Sequence, residues 1–363
     1  MSTVSHYMVI FRIVCFLVYP VGLIGNLVIL YVLWNNRFPS VMTTTFFRSQ
    51  CALDLFVIIV IVVKDLQSLN SFLPRISLSN LACQLWYSLS MFWLSVLLSE
   101  LNLVGISLDR MFAVAIPVIY REKNKLICCS FYVFACIYSV TLVTPRTQSL
   151  TLNGTSCVPV SFDNSDSVRR LYNIYAYLWT IFSFVMPFST MMLSHVVVIC
   201  ILKRSNTRTN LTVPATTHLG SFGAGMHTGR LNRTVNTLYR TTGLMAGLFL
   251  LTRTCAVVRY QLSFYGFPVC ERGTTFHMIG VRLVTFGSCL NPVLLCCTVP
   301  LIRDNLSDYV KSMITKTKRS HSPLTSTEFH LGPELREDDG ESNTLAPILS
   351  KLVLSGLLNF YTT

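Results

Sequence analysis

The sequence predicts an all-α membrane protein: a seven-transmembrane helix bundle followed by a short amphipathic eighth helix. Three observations carry that prediction. Only 12% of the 363 residues are charged while 52% are hydrophobic, and a soluble chain of this length carries about twice that charge. The apolar residues gather into runs close to the ~20 residues that an α-helix needs to cross a bilayer. The basic residues, which give a formal net charge of +13, cluster in the connections between alternate runs, the asymmetry that orients a multi-span chain.

The first run, 8–33, is interrupted only by Arg12 and passes through "GLIGNLVIL" without a small-residue cleavage site. The opening residues also lack Lys and Arg, so no cleavable leader is expected, and residues 1–7 read as a short N-terminus. The second run, 41–63, contains Arg48 and Asp54. The third, 81–115, is apolar apart from Glu100 and the adjacent pair Asp109 and Arg110. Runs 126–144 and 171–202 are almost free of charge. The sixth, 235–262, is the weakest, because Arg240, Arg253 and Arg259 divide it; without it the last helix would point the wrong way. The seventh, 275–299, is broken by Arg282 alone. The membrane domain is thus expected over 8–299. In "VPLIRDNLSDYVKSMI" the residues Leu301, Ile302, Leu306, Tyr309, Val310 and Met313 approximate helical spacing, which predicts an amphipathic membrane-surface helix over 300–314. Residues 315–363 form a tail that is polar at first, with a disorder-type composition, and its closing apolar stretch is too short for a span.

Arg37 and Arg48 flank the first connection, and Arg121, Lys123 and Lys125 follow the third run. Lys203, Arg204, Arg208, Arg230, Arg233 and Arg240 lie in or beside the long connection before the sixth, with no acidic residue to offset them. These connections are expected in the cytoplasm, the N-terminus outside and the tail inside. The basic residues sit between spans rather than on one face, so the charge does not point to nucleic acid. Of 13 Cys, three map outside: Cys83, Cys157 and Cys270. In that oxidising compartment the favoured pairing is Cys83–Cys157, with Cys270 left over. Asn153 begins a sequon in the same outer region, and glycosylation is expected there. The sequons at Asn210, Asn232 and Asn305 map inside and should stay bare.

Several polar residues recur inside the runs. Asn26 follows "GLIG", Asp54 sits in "CALDLF", Pro187 lies in run five, and "NPVLL" begins at Asn291. An uncompensated Asp at mid-span costs several kcal/mol, so Asp54 is expected to face the bundle interior with partners. Pro292 frees a backbone carbonyl and kinks its helix. Asn26, Asp54 and Asn291 together are candidates for one buried polar network.

At these residues the chain resembles the rhodopsin-like (class A) G-protein-coupled receptors, over about residues 8–314. Gly25-Asn26, Asp54, Cys83, Asp109-Arg110, Pro187 and Asn291-Pro292 stand in that family's order and on its helices. The resemblance implies that Arg110 engages a heterotrimeric G protein when span six swings outward, and that Asp109 holds it until then. It also implies plasma-membrane residence and no catalytic role. Relatives often hold a sodium ion between the Asp matching Asp54, the Ser matching Ser99, and polar residues on spans six and seven. Here Phe286 and Gly287 stand where polar helpers are usual, Arg253 takes the place of the span-six Trp, and Glu100 follows Ser99. Arg253 therefore reads as a tethered cation, with Glu100 its nearer partner and no metal or cofactor expected. Other departures are Met111, Leu295 and His195 in place of Tyr, and two extra residues between Cys83 and Arg110, which put either the disulfide or the start of span three in question.

Within the family, retinal is excluded because Thr285 stands where opsins carry a Lys. Amines are disfavoured because Phe92 stands where amine receptors carry an ammonium-pairing Asp. The outer half offers a mixed rim of Lys64, Asp65, Arg259, Arg282, Glu271 and Arg272, with Trp86, Trp93 and Trp179, which suits a short peptide. Candidate pocket residues are Lys64, Asp65, Phe92, Arg259 and Arg282. A non-signalling seven-helix decoy is the alternative that the departures leave open. A transporter is less supported, since there are no internal repeats or paired broken spans. A membrane enzyme would need converging catalytic groups, and the seven His are scattered.

Overall fold

The computed structural model describes residues 2–36, 40–69, 79–148, 150–154, 156–159, 166–211, 243–262, 265, 267, 274–299, 302–309 and 311–312. The sequence readings on 212–242, on Cys270, Glu271 and Arg272, and on 313–363 lie outside these. The chain divides into two compact units, Met1–Leu306 and Ser307–Thr363. Of the second, 307–309 and 311–312 are described, and they are helical.

Among its described residues the first unit contains seven helices long and apolar enough to cross a membrane: Ile10–Asn35, Val41–Ser68, Ser90–Ala115, Pro117–Thr147, Ile174–Arg204, Gly243–Leu262 and Phe276–Cys297, called spans one to seven. Helices suit such sequences because each satisfies its own backbone polar groups where water is absent. Span three is the axis of the bundle: 78% of its most apolar stretch is buried, against 17% for span five and 22% for span four. That ranking puts the residues with most chemistry, from Phe92 to Asp109, on the central helix. Spans one and seven approach closely. A side chain at Gly22 would place its Cβ 2.9 Å from the Cys289 backbone, so only Gly fits there.

The start of span three differs from the apolar run. The helix begins at Ser90, preceded by a wide turn over Cys83–Tyr87 in which Ser88 N–H bonds the Cys83 carbonyl (3.1 Å). Leu89 then adopts φ 62°, a left-handed conformation uncommon for a residue with a Cβ. The wide turn takes up extra length, and Cys83 stays within reach of Cys157, bonded to it with Cα atoms 5.6 Å apart. Cys157 lies on a hairpin of β1 (Leu150–Asn153) and β2 (Ser156–Pro159), paired in register Leu152↔Cys157. The turn uses Gly154 at φ 58°. Asn80 anchors the hairpin by accepting from Leu152 N–H at 3.2 Å.

Span five also contains a wide turn, Ile181–Val185, just before Pro187. In that turn the Phe182 carbonyl would look to residue 187 for its donor, and proline has no N–H. The Tyr138 hydroxyl of span four donates to that carbonyl instead, at 2.6 Å.

Candidate functional site

The polar residues stack in four layers along the bundle. At the Arg110 end, Asp109 is almost fully buried. Its carboxylate accepts from Thr43 Oγ1 (2.7 Å) and from Tyr120 OH (2.5 Å). The Arg110 guanidinium lies 3.8 Å from Asp109 Oδ2 and 5.9 Å from the Phe47 ring centre. Ser40 hydrogen-bonds Tyr120 OH at 2.9 Å, so spans two, three and four meet on one carboxylate.

The second layer is centred on Asp54, which has no solvent exposure. It accepts from Asn291 Nδ2 (2.8 Å), Gln50 Nε2 (3.0 Å) and Ser99 Oγ (3.1 Å). The chain of bonds continues through Asn102, which donates to Gln50 (2.9 Å), while Ser49 and Tyr132 donate to Asn102. Each added bond polarises the next and shares the cost of burying the carboxylate. Asn26 does not join this network as the sequence suggested. Its amide donates to the Ser288 carbonyl at 3.2 Å and to Gly22 at 2.9 Å. Ser288 lies four residues before Pro292, so its carbonyl is the one that the proline leaves without an intrahelical donor. Asn26 answers the kink rather than Asp54. A hard cation prefers a cage of oxygens, whereas Asp54 meets two amide N–H groups and the hydroxyls of Ser99 and Ser288. Phe286 is 37% exposed and Gly287 has no side chain. Neither position adds a polar side chain to the Asp54 layer, to which span seven contributes Ser288 and Asn291.

The third layer is the ion pair of Glu100 on span three with Arg253 on span six, both side chains below a tenth exposed. The Arg253 guanidinium also sits 5.6 Å from the Trp93 ring centre. The fourth layer, at the disulfide end, is a buried fork of Arg282 on Asp65 (2.7 and 3.2 Å), with Tyr19 OH on the same carboxylate at 3.3 Å.

Two cavities flank Arg253. The outer one is narrow, with room for about one water-sized group, and is lined by Trp93, Leu97, Arg146, Trp179, Ser183, Arg253, Ala256, Val257, Arg259 and Tyr260. The inner one, about 390 Å³, runs beside the Asp54 layer and is lined by Glu100, Arg253, Ser99 and Asn291 among others. Of the candidate pocket residues, only Arg259 lines either cavity. Asp65 and Arg282 neutralise each other, Lys64 donates to the Trp86 and Tyr87 carbonyls (3.0 and 3.4 Å), and Phe92 is fully buried beside Trp93. These four make the structural contacts just given and line neither of the two cavities. Sequence reading missed Arg146, which stands 4.9 Å from the Trp93 ring centre and 5.9 Å from that of Trp179. It also missed Gln50, Asn102 and Tyr132. Asn153 sits at the exposed tip of the hairpin.

The family model described as "7 transmembrane receptor (rhodopsin family)" matches residues 25–295. The chain is also 33% identical over 104 residues to the muscarinic acetylcholine receptor M3 of Rattus norvegicus, and equally to those of Mus musculus and Sus scrofa. That stretch is 29% of this chain and spans 17% of each relative's length.

Proposed function

This chain belongs to the rhodopsin family of seven-transmembrane receptors, and from that premise we propose that it binds a short extracellular peptide and activates a heterotrimeric G protein by helix rearrangement. In this reading it is a plasma-membrane receptor and not an enzyme. Residues 1–7 lie outside, 8–299 form the receptor domain, 300–314 rest on the inner leaflet, and 315–363 are cytoplasmic. Asn153 carries a glycan.

The observation that carries the reading is the state of Arg110. Each oxygen of Asp109 accepts one hydroxyl hydrogen, from Thr43 and from Tyr120, and the guanidinium stands at 3.8 Å, beyond hydrogen-bond distance. A cation held this loosely at the end of the central helix is ready to leave for a partner. No Asp or Glu occurs from residue 203 to 270, so span six offers no acid to hold it. In the test, Arg110→Ala should keep surface expression and ligand binding while abolishing G-protein activation. Full signalling from a normally expressed Arg110→Ala receptor would refute the assignment.

The relatives' name includes acetylcholine, but a quaternary ammonium is not proposed as the ligand here. The outer cavity is lined by aromatic and arginine side chains and by no acid, and Phe92 is buried. Aromatic anchors combined with charged groups suit a peptide. The replaced residues Met111, Leu295 and His195 favour a second reading, a receptor fold that binds without signalling. Recruitment of a G protein on ligand addition separates the two.

A further inference from the structure

The two cavities are not equivalent in charge, and one residue separates them. Arg253 lines both, whereas its counter-ion Glu100 lines the inner cavity and is absent from the lining of the outer one. Arg253 thus stands between Glu100 and the outer cavity, with its guanidinium beside Trp93, which lines that cavity. Its planar fork carries five N–H donors, enough for two carboxylates. Trp93, Trp179 and Tyr260 form the walls of that space. They offer flat apolar surface beside the cation, the complement of an aromatic group next to a carboxylate.

Resting on the receptor reading above, we propose that the narrow outer cavity opens to take a ligand bearing a carboxylate next to an aromatic group, and that this carboxylate competes with Glu100 for Arg253. Glu100 belongs to span three and Arg253 to span six. Their pair is a mid-membrane tie between the fixed central helix and the helix whose displacement signals. A ligand carboxylate that draws Arg253 toward the outer cavity weakens the tie from the ligand side. Glu100 is thus both the resting counter-ion and the internal competitor of the ligand.

The test uses purified full-length receptor and reads binding by its unfolding temperature, a signal that does not pass through a G protein. The probes are glycyl-tryptophan as the free acid and as its amide, and 3-(indol-3-yl)propionate with its amide. The free acids should raise the unfolding temperature saturably, with apparent affinity about tenfold or more above the amides, since an amide cannot replace a charge-assisted pair. Arg253→Gln should abolish that preference. Glu100→Gln should strengthen acid binding several-fold, the opposite of what loss of a merely structural residue does. If Glu100→Gln fails to fold, Glu100→Asp, which withdraws the carboxylate by one methylene, should move affinity in the same direction. Equal binding of acids and amides, an acid preference that survives Arg253→Gln, or weaker acid binding in a folded Glu100 variant would overturn the proposal. So would no stabilisation by either acid at millimolar concentration. Stabilisation by the indole acid alone supports the carboxylate site and removes the peptide from the reading above. Stabilisation of a receptor that activates no G protein supports the site and removes the coupling.

Discussion

Replacing Tyr120 with Phe should lower the ligand-free activity of this receptor, although the change removes a hydrogen bond from the Asp109 carboxylate. In the structure Tyr120 OH donates to Asp109 Oδ1 and Thr43 Oγ1 to Oδ2, and Arg110 stands off at 3.8 Å. With an effective dielectric of about 20, a charge pair at that separation is worth about 4 kcal/mol, and one closed to ~2.8 Å about 6 kcal/mol. Tyr120→Phe takes from Asp109 Oδ1 its hydroxyl donor, and a buried carboxylate oxygen left short of donors draws Arg110 into that closer contact. Arg110 is about a fifth exposed, so solvent screening reduces the difference of about 1.5 kcal/mol to about 1 kcal/mol. A bias of that size shifts a two-state equilibrium about fivefold toward the resting form.

The assay is ligand-free G-protein signalling plotted against receptor number at the surface, because the slope separates intrinsic activity from expression. The slope for Tyr120→Phe should fall by up to about fivefold, and that for Asp109→Asn should rise. Losing a hydrogen bond to a charged group also costs about 1.5–3 kcal/mol of stability, so the unfolding temperature should fall unless the closer Arg110 contact offsets it. A Tyr120→Phe receptor with a steeper slope than wild type would refute the reasoning. That result would mean that the tyrosine holds Asp109 in the position that restrains Arg110, and that it does not compete with the arginine.

Three further outcomes are expected. Asn26→Ala should destabilise the receptor by about 1–3 kcal/mol because the Ser288 carbonyl is left buried without a donor. The loss should shrink in a Pro292→Ala background, where residue 292 regains its N–H; equal losses in both backgrounds would break the link between Asn26 and the kink. Tyr138→Phe should likewise lower the unfolding temperature, and Pro187→Ala should relieve that loss by returning a donor to the Phe182 carbonyl. Cys83→Ser should match the double variant Cys83→Ser/Cys157→Ser in unfolding temperature, both below wild type. The closed loop of 74 residues sets an upper limit of about 4.5 kcal/mol on the entropic stabilisation by the bond.

The seven spans were legible because length without charge is a property of the chain read in one dimension, and the family match over 25–295 agrees with it. The wide turn over Cys83–Tyr87 was only half legible. The excess of two residues announced a displacement, but whether a loop, a turn or the helix itself absorbed it depends on packing around Leu89. Gln50, Asn102 and Tyr132 carried no one-dimensional signal. A single polar residue in an apolar run looks the same whether it packs against a neighbour or completes a network, and only helix azimuth tells the two apart. Asp65 and Arg282, 217 positions apart, misled for a related reason. Two opposite charges near one end of a bundle suggest a binding rim until their geometry closes them on each other.

Prolines supply a signal that lies between these cases. Each proline in a span removes one identifiable donor, so the sequence names the acceptor that needs help: Ser288 for Pro292 in a regular helix. It cannot name the helper, because that residue arrives from another helix. Pro187 sharpens the point. Regular geometry would assign its orphan to Ser183, yet the wide turn over Ile181–Val185 passes the need to Phe182, where Tyr138 meets it. A one-residue change in helical period therefore decides which side chain of span four is required. For the same reason Asn26 and Tyr138 are better tested against the prolines they answer than against their immediate neighbours.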